Sequence, residues 1–475
     1  MSTPKDRAKL AADAAAALAI TAESAARELN EARDKLARGI EKLTKLSEDT
    51  LAIATVPHDE IWQQDMVRLY CARPMVDKPH GVPILIAYAL VGRFQMIDLE
   101  ADRSLVRKLL ASGFDVYFID WGLPGRAQRC LSIDDYVSGY LDQCVDVVRE
   151  RSGAAQVNLL GICQGGVFST CYSALFPHKV RNLALTVTPL DFHGDLKEPQ
   201  SGAGYVNHWA RALTAQDIDD FVDAYGAAPG SLVGFAFLMM SPVGNLTKYT
   251  VDLIDILDDD AKLLSFLRME RWIADRPDHP GEVLRQWLKD LYQENKLIRN
   301  ELRLGNRTVD LRSITMPVLN IYATGDTIVP VACSKGVGNH FGTDDYTELP
   351  VPGGHIGTFV GGGAQQILAP SLADWFKAST CTCDAFSRQR AGLPRAPSDG
   401  PGEATLRGAS ENPRVERGFR GRRRERAVSS CGDSAAPAQW PGDGSVHREH
   451  VRTDDAFTEE GRRRAAARNL PRAGA

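Results

Sequence analysis

Cys163 stands in VNLLGICQGG (157–166), an apolar run that reads as a buried strand, then a glycine-framed turn, then a helix. A thiol at such a turn is lifted above the sheet, and the N-terminus of the following helix favours its thiolate. Gly161 and Gly165 leave room where side chains would meet the approaching chain, and Gly166 lets the helix pack close. A nucleophile needs a base and a third polar group that orients the base. The chain offers an acid after a later apolar run, at Gly325-Asp326, and an imidazole after the next, at Gly353-Gly354-His355. Sulfur, imidazole and carboxylate together serve acyl transfer through a covalent thioester. The Gln164 backbone N–H points to where an oxyanion would form, and a second N–H is expected from the loop after residues 82–90, at about Val91 or Gly92, with Val91 taken as the candidate. Taken singly, Cys163 reads as a buried thiol, Asp326 as a turn former and His355 as a structural histidine. Their order, each at a strand's C-terminal end, is what gives the combination weight.

The elements that must position these groups alternate. VPILIAYAL (82–90), DVYFIDWG (115–122), VNLLGIC (157–163) and VRNLALTVTPLDF (180–192) are strand-like, and LEADRSLVRKLLASG (99–113), SIDDYVSGYLDQCVDVVRE (132–150) and GGVFSTCYSALF (165–176) are helical between them. Ser132 and Asp134 are placed to cap the second helix. Such alternation makes βαβ crossovers and a mostly parallel sheet. Nucleophile, acid and histidine in that order belong to the α/β-hydrolase fold. Residues 193–310 break the rhythm with long helical stretches and read as a cap (lid) inserted over the site. Their apolar GSLVGFAFLMMSP (230–242) reads either as cap core or as a substrate-facing surface. Strands resume at MPVLNIYATGD (316–326) and DYTELPVPGGH (345–355), and PSLADWFK (370–377) forms a last helix. The catalytic core is thus expected over 65–192 and 311–377.

Residues 1–64 read as an N-terminal helical segment. Leu36, Ile40, Leu43 and Leu46 recur at helical spacing, either packed on the body or free to dock a partner or a hydrophobic particle. Asp13 interrupts the only apolar stretch near the start, so no signal peptide is expected. Residues 378–475 hold 18 Arg and no Lys, Ile or Tyr, with 13 Asp and Glu. This segment cannot bury a core and is expected to be disordered. Its Arg-for-Lys bias looks like a GC-rich strand read in another frame, the alternative being a genuine basic tail. The remainder carries 38 Lys and Arg against 48 Asp and Glu, which argues against nucleic acid as a partner. Nine scattered cysteines fit a reducing compartment, and no run of about 18 apolar residues offers a membrane span. The CTC at 381–383 lacks a second ligand pair, so no metal is expected.

GICQGG, with YALVGR (88–93), DVYFIDWG, TPLDF (188–192), VDLRSITMPVLNIYATGD (309–326) and VPGGHIG (351–357), closely resembles the polyhydroxyalkanoate synthases over about residues 65 to 377, and most the catalytic subunit of the two-subunit, class III type. The resemblance implies that Cys163 is the acylated nucleophile and His355 its base. It implies that Asp326 is the acid, which in the family helps activate the 3-hydroxyl of the incoming unit. The implied substrate is a short-chain 3-hydroxyacyl-CoA such as 3-hydroxybutyryl-CoA, polymerised into a growing polyester with CoA as product and no separate cofactor. A homodimer formed through the cap, a second non-catalytic subunit of the PhaE type, and a cytoplasmic place on polymer inclusions are implied as well. Two positions depart from the family: Gly92 where relatives carry Asn, and Thr327 where this type often carries His. A cysteine suits this chemistry, because it exchanges one thioester for another and keeps the acyl group activated. Rival readings are a cysteine-nucleophile hydrolase of the dienelactone hydrolase or esterase/depolymerase sort, and a non-catalytic binding module.

Overall fold

The computed structural model describes residues 22–391 apart from 78, 80 and 198–203. The expectations for the first 21 residues and for the Arg-rich tail beyond 391 lie outside the described residues. In chain order the elements that matter are α1 (Ala22–Lys45), β1 (His58–Gln64), β2 (Val67–Ala72), β3 (Ile84–Ala87), α2 (Leu105–Ala111), β4 (Val116–Asp120), α3 (Asp142–Ser152), β5 (Val157–Ile162), α4 (Gln164–Leu175) and β6 (Val180–Thr186). The chain then leaves the sheet for α5 (Tyr205–Ala212), α6 (Ala215–Tyr225), β7 (Ala227–Ala228), α7 (Gly230–Met239), α8 (Pro242–Thr247), α9 (Asp260–Ala274), β8 (His279–Pro280) and α10 (Gly281–Gln286). It returns for β9 (Val318–Ala323), β10 (Tyr346–Val351) and α11 (Gly362–Ala391).

Eight strands form one sheet in the order β1-β2-β4-β3-β5-β6-β9-β10. The pairs β1–β2 and β2–β4 are antiparallel, and all the others are parallel. β3, β4, β5 and β9 are buried at every residue, as strands covered by helices on both faces must be. Alternate residues feed two cores: Leu159 and Leu183 join Tyr136, Phe168 and Trp287 on one face, while Leu160 and Ala184 join Leu109, Phe114 and Phe376 on the other.

Three expectations need correction. The helical N-terminal segment ends before residue 58, because His58–Gln64 is an edge strand paired to β2. An edge strand with one solvent-facing side needs no apolar run, so HDEIWQQ carried little signal. The last helix begins at Gly362 and runs through Ala391, with Pro370 inside it rather than at its start. Asp135, not Asp134, completes the Ser132 cap: its Oδ2 accepts from the Ser132 N–H at 2.8 Å and hydroxyl at 2.7 Å. Of the two readings of the apolar 230–242 stretch, exposed surface holds, for Leu232, Phe235, Leu238 and Met239 on α7 are 41–59% exposed.

Helix α1 lies against the helical insertion through Gly39, which closely approaches Leu257, and through Arg38 Nε to Asp258 at 3.0 Å. That ion pair is exposed and screened by solvent, so the close Gly39 contact matters more for the docking. Leu29, Leu36, Ile40 and Leu43 remain exposed. Among the described residues no single helix is long and apolar enough to cross a membrane.

Candidate active site

Cys163 follows β5 directly and takes φ 52°, ψ −119°, a left-handed conformation that a non-glycine residue adopts only under constraint. The constraint is visible on both sides. The Cys163 N–H donates to the Thr186 carbonyl of β6 at 2.9 Å, and the Cys163 carbonyl accepts from the Gly166 N–H at 2.9 Å. A Cβ on Gly165 would fall inside the carbonyl oxygens of Ala87 and Tyr88, and one on Gly166 inside the Thr188 hydroxyl. The glycines therefore let β3 and its following loop close over the turn. Gly165→Ala is expected to destabilise the fold by about 3 kcal/mol, since backbone on the facing side has to move; an unchanged urea midpoint would contradict this crowding.

Two further turns bring the acid and the imidazole. Asp326 follows β9, and its Oδ1 accepts from the Ile328 and Val329 N–H groups, both at 2.9 Å. Its other oxygen, Oδ2, accepts from His355 Nδ1 at 2.7 Å. The Gly325 N–H donates to the Gly353 carbonyl at 2.8 Å, which ties the acid's turn to the histidine's turn. With Nδ1 on the carboxylate, Nε2 is the ring nitrogen left free, and Cys163 lies within electrostatic reach of the ring. Burial disfavours the imidazolium, but the interactions with Cys163 and with the Asp326 carboxylate outweigh it and hold the His355 pKa up, at about 10. Sulfur and imidazole thus lie within reach of each other, and the carboxylate backs the imidazole. Sequence reading proposed these three residues together, and the structure brings them together.

The Gln164 N–H is the first of α4, where amides have no intrahelical partner. Val91 lies on the loop after β3, held at its carbonyl by Arg276 Nη1 at 2.9 Å. The same loop is gripped at the Tyr88 carbonyl by the Trp121 indole (2.7 Å) and at the Arg93 carbonyl by the Trp272 indole (2.8 Å). Tyr88 and Tyr292 are buried within electrostatic reach of Cys163, and burial, reinforced by the interaction with Cys163, pushes both hydroxyls up, so they stay neutral. Among the described residues no group of three or more His, Cys, Asp or Glu side chains is placed to hold a metal ion.

The family model for the alpha/beta hydrolase fold matches residues 82–361. The chain is 46% identical over 345 residues to "Poly(3-hydroxyalkanoate) polymerase subunit PhaC" of Synechocystis, covering 72% of this chain and 90% of that protein. To the protein of the same name from Allochromatium vinosum it is 45% identical over 347 residues, covering 72% and 93%. The chain belongs to the PhaC family. Among solved structures it is similar to the monoacylglycerol lipase of Paleococcus ferrophilus, at 15% identity and TM-score 0.39, over 66% of this chain and 99% of that one. The hydrolase-fold match spans the stretch that carries Cys163, Asp326 and His355.

Sequence reading of this PhaC-family chain missed the polar groups that reach the site from the inserted helices. His279, Trp272 and Arg276 carry no motif, and no local pattern distinguishes His279 in its DHPG turn from a surface histidine. The departure at Gly92 has a structural counterpart: a Cβ there would stand 3.1 Å from the Trp272 ring, so the indole takes up the space beside the loop.

Proposed function

We propose that this chain polymerises 3-hydroxyacyl-CoA, chiefly short-chain units such as 3-hydroxybutyryl-CoA, into polyhydroxyalkanoate through an acyl-Cys163 intermediate. The observation that carries the reading is the His355 ring, bonded to Asp326 at 2.7 Å and paired with the elbow thiol. In the first step the Cys163 thiolate attacks the thioester carbonyl. The Gln164 and Val91 amides receive the oxyanion, the C–S bond to CoA breaks, and the His355 imidazolium proton goes to the departing thiolate. Neutral His355 then takes the proton of an acyl unit's 3-hydroxyl as its oxygen attacks the Cys163 thioester. An oxoester forms and the thiolate–imidazolium pair is restored. Asp326 holds His355 Nδ1 throughout and stabilises the imidazolium. CoA is leaving group and product, and no separate cofactor enters.

A hydroxyl outcompetes water only if the site is covered. Tyr292 and Arg276, both from the inserted 193–310 stretch, supply part of that cover. Under the same reading the chain works as a homodimer with a PhaE-type subunit at the surface of cytoplasmic polymer inclusions. The test is to supply 3-hydroxybutyryl-CoA, with and without that subunit, and to follow free thiol and product together. Thiol release matched by polyester is expected. Release matched by free 3-hydroxybutyrate would make the chain a hydrolase instead, and no release in either arm would leave a binding module.

A further inference from the structure

The side chain of Gln164, the residue after the nucleophile, is 2% exposed and bridges two distant parts of the chain. Its Oε1 accepts from the Leu90 N–H at 3.1 Å, and its Nε2 lies 2.9 Å from His279 Nε2. The Leu90 amide is a backbone donor and cannot reverse, so it fixes which end of the Gln164 amide faces it. The NH₂ end then faces His279, whose Nε2 must be an acceptor. The other ring nitrogen, Nδ1, donates to the Pro280 carbonyl at 3.3 Å. The three groups form a chain of hydrogen bonds with a single polarity, and only a neutral imidazole closes it. Burial agrees, pushing His279 down to about 4 against the opposing Pro280 carbonyl. A protonated ring would set N–H against NH₂, and turning the Gln164 amide to relieve that clash would abandon Leu90.

Leu90 immediately precedes Val91. His279 lies on β8, antiparallel to β7 with Ala228 opposite His279, so a strand pairing within the helical insertion fixes its place. Just upstream, Trp272 and Arg276 bond the Arg93 and Val91 carbonyls of the same loop. Trp272 and Arg276 hold the 90–93 loop directly and His279 holds it through Gln164, so residues 272–279 grip it from the cap side.

We propose that His279 is a positioning residue for acyl transfer: as acceptor for the Gln164 amide, it keeps the Gln164 oxygen on the Leu90 N–H and so sets the loop that presents the Val91 amide to the oxyanion. Losing an oxyanion donor outright costs about 10²–10³ in rate, so displacing one is expected to cost roughly 10–100-fold. The test compares two rates at the same sulfur. Burst CoA release from 3-hydroxybutyryl-CoA passes through an oxyanion, whereas alkylation of Cys163 by iodoacetamide does not.

His279→Phe is expected to slow the burst about 10–100-fold, with KM changed less than about threefold and alkylation within about twofold of wild type. His279→Gln, which can again place an acceptor before the Gln164 amide, is expected to recover most of the burst rate. Gln164→Met keeps the backbone N–H but breaks the bridge and should reproduce the Phe result. If the Phe variant does not fold, Gln164→Met carries the same two-rate comparison. An unimpaired burst in either variant, a Gln variant as slow as the Phe variant, or alkylation falling in step with the burst would each overturn the inference. The inference rests on the proposed acyl transfer at Cys163. Wild-type protein that released no CoA would remove that reading, whereas active wild type with unaffected variants would remove only this one.

Discussion

Cys163→Ala is expected to abolish CoA release from 3-hydroxybutyryl-CoA, a loss on the order of 10⁴-fold or more, while leaving the fold intact. The side chain points from a turn whose shape is set by Gly161, Gly165 and Gly166, so removing one sulfur opens little space in either core. Nothing else described at the elbow can replace it: the neighbouring Tyr88 and Tyr292 hydroxyls are held neutral by burial. Cys163→Ser is the sharper companion. A serine would capture the acyl group as an oxoester, and the exchange that follows would lose the driving force that a thioester supplies. The serine variant is expected to release at most a single equivalent of CoA and to form no polymer. Wild-type-like polymer from either variant, measured by gas chromatography of the methanolysed product, would rule out the acyl-cysteine route.

His355→Gln carries the second large effect, a fall of about 10³–10⁴-fold in both acylation and chain transfer. The imidazole is expected to serve both steps, first giving a proton to CoA and then taking one from a hydroxyl, so the two rates should drop together. Its charge state offers an independent check. A raised pKa means that the imidazolium's stabilising contribution is complete below the ordinary value near 6.5 and is lost as pH rises through about 10. In ¹³C-histidine-labelled protein the His355 resonance is therefore expected to titrate near 10. In Asp326→Asn one of the two charges that raise the pKa is gone while burial still opposes the cation, so the midpoint should move down. A midpoint near 6.5 in the wild type, or no movement in the variant, would mean that the charge pair does not form.

Much of this site was legible before any coordinates. The Gly-x-Cys-x-Gly turn, the Gly-Asp turn and the Gly-Gly-His turn each depend on a few adjacent residues, and each follows an apolar run short enough to be a strand. The edge strand His58–Gln64 escaped notice because its polar face looks to solvent, and the start of the last helix escaped because Pro370 resembled a first-turn proline. The α7 stretch stayed open between core and surface for a related reason: an apolar run signals burial only when some other element covers it, and composition does not say whether one does.

From sequence alone came the strand-and-helix alternation and the turns that carry Cys163, Asp326 and His355, because turn chemistry and hydrophobic period are local properties. Tertiary structure alone decided that Asp326 meets His355 at 2.7 Å, and that His279 reaches Gln164 across 115 positions of chain. Such meetings depend on how β7 pairs with β8 and how α9 packs beside the 90–93 loop. Packing couples segments that no window of neighbouring residues contains.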